Sequence, residues 1–168
     1  RFPPMRVLGI DPGYALMGWG VVDCEGNKMH LVNYGCIETK AGNPMQHRLR
    51  TLQLGVRDLL TIYKPDEVAF EELFFARNVT TALMVGAARG AAIISAAEYT
   101  ESLYEYTPMQ IKQAVTGYGK ADKKQVQQMV KLLLHMDEIP KPDDAADAIA
   151  CAITHCQAGI AKKEFLMK

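Results

Sequence analysis

Apolar runs that end in an acid constrain this chain more than any other feature. Val7-Leu8-Gly9-Ile10 runs into Asp11 ahead of Pro12-Gly13, and Val68-Ala69-Phe70 runs into Glu71. Both read as buried strands closed by a carboxylate. A third apolar element is a helix whose opening turns carry acids, Asp143-Asp144-Ala145-Ala146-Asp147-Ala148-Ile149-Ala150. Carboxylates are rarely buried unless paired or bound to metal. Three apolar elements with acids at their ends therefore point to a metal site.

The order of elements decides how those acids can meet. Met5–Asp11, Gly18–Asp23 and Met29–Thr39 read as strands, with a hairpin turn at Glu25-Gly26-Asn27-Lys28. Short connections predict an antiparallel meander. From Met45 to Tyr63 the residues Leu49, Leu52, Val56, Leu59, Leu60 and Tyr63 recur at helical spacing. Lys64-Pro65-Asp66 ends that helix, and Glu67–Glu71 follows as a short buried strand. Thr80–Thr100 reads as a long helix of small residues and Glu101–Tyr106 as a fifth strand. Pro108 opens a short helix closed by Gly117 and Gly119. Asp122 opens another, to about His135, with Gln125 placed for a capping box. The last helix is expected from Asp143 to about Lys162. The whole predicts one mixed-sheet α/β domain over residues 5–162. Arg1-Phe2-Pro3-Pro4 reads as a remnant of expression, and residues 163–168 as a tail.

A chain of 168 residues can bury a sizeable core, and 49% hydrophobic against 23% charged residues suits a soluble globular protein. Nineteen basic and nineteen acidic residues cancel, so no whole-molecule field attracts a polyanion or a membrane. Any such partner needs a local patch. One exists between Lys112 and Lys131, where Lys112, Lys120, Lys123, Lys124 and Lys131 face a single acid, Asp122. A solvated helix face is the ordinary reading of the same charges. Cys24, Cys36, Cys151 and Cys156 form no CxxC and no zinc spacing, which suggests a reduced, cytoplasmic compartment. No secretory signal is visible. The most apolar run, Ala82 to Ala97, is expected to be too short for a membrane span and contains Arg89.

Strand ends and helix starts are where an α/β sheet gathers a site. Asp144 and Asp147, three apart, point to one side of their helix. A helix N-terminus favours each acid by about 0.3–1 kcal/mol. Two carboxylates about 4 Å apart repel by roughly 4 kcal/mol at an effective dielectric near 20. The cluster therefore needs cations, or some of its members stay protonated. Oxygen ligands suit Mg²⁺ or Mn²⁺, and a pair of such ions can drive phosphodiester hydrolysis. The ordinary alternative is that Asp143 or Asp144 caps a helix and Asp11 belongs to a turn.

At these residues the chain resembles the RuvC family of bacterial Holliday-junction resolvases, within the RNase H-like fold. The marks are Gly9-Ile10-Asp11-Pro12-Gly13, Glu71-Glu72-Leu73-Phe74 with Arg77-Asn78, and Gly86-Ala87-Ala88-Arg89-Gly90. They continue with Lys112-Gln113, Lys123-Lys124-Gln125-Val126, and Asp144-Ala145-Ala146-Asp147-Ala148 with Thr154-His155. The resemblance implies an α/β fold with a mixed five-stranded sheet, three antiparallel strands then parallel ones, flanked by helices. By position it implies that Asp11, Glu71, Asp144 and Asp147 are catalytic and hold two Mg²⁺ ions, with Mn²⁺ as a substitute. Asp143 and Glu72 are taken as bystanders. It further implies a homodimer that nicks opposed strands of four-way junction DNA, leaves 5′-phosphates, and works with the RuvA–RuvB branch-migration complex in recombination and repair.

The resemblance also assigns DNA contacts. Phe74 is expected to stack on an unpaired base in preference to Phe75, and Lys112 and Lys123 to meet phosphates. Lys120, Lys124 and Arg77 are further candidates. Gly86, Ala87, Ala88, Gly90, Ala91 and Ala92 thin one helix, either to pack on the sheet or to meet a second copy. His155 is expected to be a satisfied core histidine rather than a ligand. Three rivals stand beside this reading: a different RNase H-like nuclease, an actin- or sugar-kinase-like ATPase, and a junction-binding protein without activity.

Overall fold

The computed structural model describes residues 3–72 and 78–168. In chain order these form β1 (Met5–Asp11), β2 (Leu16–Glu25), β3 (Lys28–Glu38), α1 (Met45–Tyr63), β4 (Glu67–Glu71) and α2 (Val79–Tyr99). Next come β5 (Leu103–Tyr106), α3 (Pro108–Thr116), α4 (Lys123–Leu133) and α5 (Asp143–Ala158), then a 3-10 helix over Gly159–Phe165. The sheet order is β3-β2-β1-β4-β5. β1 pairs antiparallel with β2 and parallel with β4, and β4 pairs parallel with β5. This is the α/β mixed five-stranded sheet that the resemblance implies.

Two apolar layers cover the sheet. Leu8, Ile10, Val68 and Phe70 face α1 and α2, where Leu52, Val56, Ala88, Ala92 and Ala96 close the core. Val7, Ala69, Tyr104 and Tyr106 face α3, α4 and α5. Because β1 lies mid-sheet, both of its faces are buried, which is why its sequence is an unbroken apolar run. α1 is amphipathic and buries only Leu52, Val56, Leu59 and Leu60. α5 is buried almost all round, from Ala145 to His155 apart from Asp147.

α5 lies close against β1 and β2 because those strands present glycine to it. A Cβ on Gly9 would overlap the Ala148 carbonyl oxygen, and one on Gly18 the Asp144 carbonyl oxygen. At Gly20 it would stand 2.7 Å from Ile149 Cγ1. Gly9 and Gly20 are paired across the strands, as are Asp11 and Gly18. The three glycines thus form one patch, and the Ala-rich side of α5 fits against it.

Two expectations need correction. The last helix stops at Ala158 rather than about Lys162: Gly159 takes φ 56°, which breaks the α-helical bonding, and the chain continues as 3-10. The apolar run at Ala82–Ala97 is part of a longer helix. α2 has 21 residues, so by length and apolar composition alone it could cross a bilayer. In the fold, Arg89 on α2 instead pairs with Glu105 on β5.

His155 is wholly buried, as a satisfied core histidine should be. Its Nδ1 lies 2.6 Å from the Tyr106 hydroxyl and its Nε2 lies 3.1 Å from Glu67 Oε1. Lys162 Nζ donates to the same Glu67 oxygen at 2.9 Å, which ties the 3-10 helix to β4. Burial pushes Glu67 up, but the hydrogen bonds from His155, Lys162 and Tyr104 outweigh it, and its carboxyl is lowered to about 2. A depressed acid stabilises the fold above its unfolded value of about 4.3, and that stability is lost as pH falls through the folded value. Glu67→Gln should therefore lower the melting temperature at pH 7, with the gap to wild type closing as pH falls from about 4.5 towards 2. Thermal melts across that range check this, and a gap independent of pH would contradict it.

Candidate metal centre

Three of the predicted acids converge. Asp11 ends β1, Glu71 ends the neighbouring parallel strand β4, and Asp147 projects from the second turn of α5. Ile10 is in register with Phe70, so Asp11 and Glu71 follow side by side. One oxygen from each of Asp11, Glu71 and Asp147 lies within 4.8 Å of the other two. Oxygens on opposite sides of a Mg²⁺ ion stand about 4.2 Å apart, given bonds of about 2.1 Å. The donor set and its spacing therefore fit a hard divalent cation, and these three acids could hold one.

Asp144 is not within that tight group. It occupies the first turn of α5, partly buried, with its backbone seated over Gly18. Its charge nevertheless acts on both Asp11 and Asp147. Neither Asp143 nor Asp144 caps α5: the N-cap is Pro142 and no side chain bonds there. Side-chain capping therefore does not explain these two acids.

The acids are in electrostatic conflict. Burial first, then the charges of Glu71 and Asp147, push the Asp11 carboxyl far above the carboxylate range. Burial and Asp147 raise Glu71, while its hydrogen bond with Asp11, Lys123 and Lys112 hold it down. Asp147 is raised by burial, against the pull of Lys123. Two acids that share a hydrogen bond and cannot both ionise are a site waiting for positive charge.

The lysines divide. The charges of Lys112, on α3, and Lys123, at the start of α4, both pull Glu71 and Asp147 down. Lys123 Nζ is 3.9 Å from Asp147 Oδ2 and 3.2 Å from Asp143 Oδ2. α4 starts where the capping box predicts, with Asp122 and Gln125 reciprocally bonded. Lys120 and Lys124 are exposed. Phe74 and Arg77, expected at the DNA, and Phe75 lie outside the described residues. Sequence reasoning missed the partner of Lys123: Asp143 is twenty residues away, and no local spacing links them.

A mixed sheet of this order, with acids at the ends of adjacent parallel strands and on a facing helix, defines an RNase H-like α/β protein. The yeast mitochondrial Holliday junction resolvase Ydc2 shares that fold, with a TM-score of 0.69 at 16% identity, over 97% of this chain and 84% of that one. The sequence profile described as crossover junction endodeoxyribonuclease RuvC matches residues 7–155. The crossover junction endodeoxyribonuclease RuvC of Brevibacillus brevis is 57% identical over 153 residues, which is 91% of this chain and 92% of that protein. That of Alkaliphilus metalliredigens is 50% identical over 164 residues, 98% of this chain and 100% of the relative. Thermus thermophilus RuvC, solved in complex with a Holliday junction substrate, superposes with a TM-score of 0.88 at 38% identity, covering 96% and 98% of the two chains. The chain belongs to the RuvC family of crossover junction endodeoxyribonucleases.

Asp11 and Glu71 titrate above their unfolded values, so the metal-free fold loses stability as pH rises from the ordinary carboxylate range through those raised values. Asp11→Asn should raise the metal-free melting temperature at pH 8, by about 2–4 °C for each kcal/mol of repulsion relieved. Scanning calorimetry in the presence of a chelator measures it. An unchanged or lower value would mean that the acids do not strain the apo fold.

Proposed function

We propose that this chain, through a single nuclease domain over residues 5–162, is a Mg²⁺-dependent endodeoxyribonuclease that resolves four-way DNA junctions by paired symmetric nicks. The observation that carries the reading is the convergence of Asp11, Glu71 and Asp147 within 4.8 Å, with Lys123 Nζ 3.9 Å from Asp147. Two Mg²⁺ ions held there, for which Mn²⁺ would substitute, would supply the Lewis acidity that activates a water and stabilises the leaving oxygen. Asp11, Glu71 and Asp147, with Asp144 at their edge, would hold those ions through carboxylate oxygens. Asp11 and Glu71 give the site its rigidity, since each ends a strand of the central sheet. Lys112 and Lys123 then pair with phosphates flanking the cleaved bond, helped by Lys120, Lys124 and Arg77. Phe74 stacks on a base freed at the junction. The products carry 5′-phosphate and 3′-hydroxyl ends that a ligase can seal. Support for the substrate comes from Thermus thermophilus RuvC, a 38% identical relative solved with a Holliday junction. In the cell the enzyme acts in the bacterial cytoplasm, in recombination and repair, with the RuvA–RuvB complex.

Asp11→Asn and Asp144→Asn should each abolish cleavage of a synthetic mobile junction in Mg²⁺ while leaving junction binding largely intact. Gel mapping of nicks on all four strands, beside a binding assay, reads both. Full cleavage by either variant would refute the assignment of that acid.

The exposed face of α2 supports a homodimer. Val79, Leu83 and Ile94 are 74%, 68% and 54% exposed, and they share a helical stripe with Gly86 and Gly90. Among the described residues, a Cβ on either glycine would meet nothing within 4 Å. Glycine inside a helix costs about 0.5–1 kcal/mol relative to alanine, and no close contact among the described residues requires it here. A second copy approaching closely along this stripe does require it, and buries the apolar residues as well. Leu83→Glu should convert the protein to a monomer in sedimentation velocity and replace paired nicks with single ones. A wild-type monomer at micromolar concentration would refute the dimer.

A further inference from the structure

Asp143 stands outside the acid cluster, yet it makes two contacts from an exposed position. Its Oδ2 accepts from Lys123 Nζ at 3.2 Å, and its Oδ1 accepts from Gln127 Nε2 at 3.0 Å. Lys123 and Gln127 are four apart on α4, so one carboxylate clasps one face of that helix. The same ammonium lies 3.9 Å from Asp147 Oδ2. Lys123 is therefore shared between an acid of the candidate centre and an acid outside it.

The two pulls compete. A divalent cation on the Asp147 oxygens repels an ammonium this near, so cation uptake favours Lys123 on its Asp143 side. Without the Asp143 charge, Asp147 becomes the nearest anion to Lys123. The lysine then neutralises the oxygen that an ion would need. Asp143 does not cap α5, so its contacts to α4 are what its side chain does in the fold.

We propose that Asp143, with Gln127, is a positioning residue that draws Lys123 off Asp147 and so sets how readily the centre takes up a divalent cation. The proposal rests on reading Asp11, Glu71 and Asp147 as a metal site. Both partners are exposed, which limits the effect to about two- to fivefold in half-saturating cation concentration, the range of solvent-screened pairs. A tie that merely joined α4 to α5 would change stability without changing cation uptake.

The test is a Mg²⁺ titration of the full chain without DNA, followed by melting temperature, in wild type, Asp143→Asn, Lys123→Gln and the double variant. Asparagine keeps an acceptor for Gln127 and removes the charge that holds Lys123. Asp143→Asn should raise the half-saturating Mg²⁺ concentration about two- to fivefold, and this rise should vanish in the Lys123→Gln background. No rise, or an equal rise in both backgrounds, overturns the proposal; the latter would make Asp143 only a nearby negative charge. A wild-type protein with no Mg²⁺-dependent shift fails differently: it sinks the metal reading itself, and the proposal with it.

Discussion

The seating of α5 on the glycine patch of β1 and β2 is the contact on which the candidate centre depends. Gly9, Gly18 and Gly20 each leave room for helix backbone where any other residue would place a Cβ. A Cα–Cβ bond is about 1.5 Å long. A helix lifted by that amount would shift Asp147 relative to Asp11 and Glu71, with which it forms the 4.8 Å group. Catalytic geometry tolerates little of this, since a misplacement of about 1 Å can cost a hundredfold in rate. The alanines of α5 belong to the same solution. They bury little area each, but Ala145, Ala146, Ala148, Ala150 and Ala152 are buried and let the helix backbone approach the strands. Close packing here serves the placement of charge as much as the core.

β4 shows how partners rather than burial decide the fate of an acid. Glu67 and Glu71 stand at opposite ends of one five-residue strand and point to the same face of the sheet. Burial alone raises both. Glu67 meets His155, Lys162 and Tyr104 and ends well below the ordinary range. Glu71 meets Asp11 and Asp147 and ends above it, despite the two lysines. The first end is finished as protein, and it fastens the C-terminal segment to the sheet. The second end is unfinished without a cation. Strain is thereby confined to one rim of the sheet, where the strand ends, the start of α5 and the basic residues of α3 and α4 meet.

Much of this was legible because periodicity and burial coincide. The spacing of Leu52, Val56, Leu59 and Leu60 placed α1 correctly at both ends, and the run Val68-Ala69-Phe70 placed β4. The acids stood out for the same reason, as charge at the end of an apolar run. What stayed hidden was whatever depends on distant partners or on backbone geometry. The end of α5 falls at Gly159, whose positive φ stops the helix; glycine is a residue that signals such an end, and the expectation ran past it. Spacing set Asp144 and Asp147 on one side of a helix, but not that Asp147 would join the tight group while Asp144 stays at its edge. Asp143 looked idle beside two more useful neighbours, because Lys123 and Gln127 belong to another helix. The small residues of α2 allowed two readings, and the structure divides them: Ala88, Ala92 and Ala96 are buried in the core, while Gly86 and Gly90 face outwards.

Zero net charge fits the proposed work better than a basic protein would. Nineteen acids balance nineteen bases over the chain, but the signs are sorted in space. Acids crowd the rim where β1 and β4 end and α5 begins, Lys123 is paired with Asp147 there, and the charge of Lys112 also acts on Glu71 and Asp147. Without a cation the lysines are partly spent on the carboxylates, as the 3.9 Å approach of Lys123 to Asp147 shows. Under the proposed function, each divalent ion held by these acids would add two positive charges, make the rim less negative towards a phosphate, and supply the Lewis acidity that activates a water. A protein with a permanent strong positive field would hold duplex DNA of any shape. A local field acts only on a backbone brought to that rim.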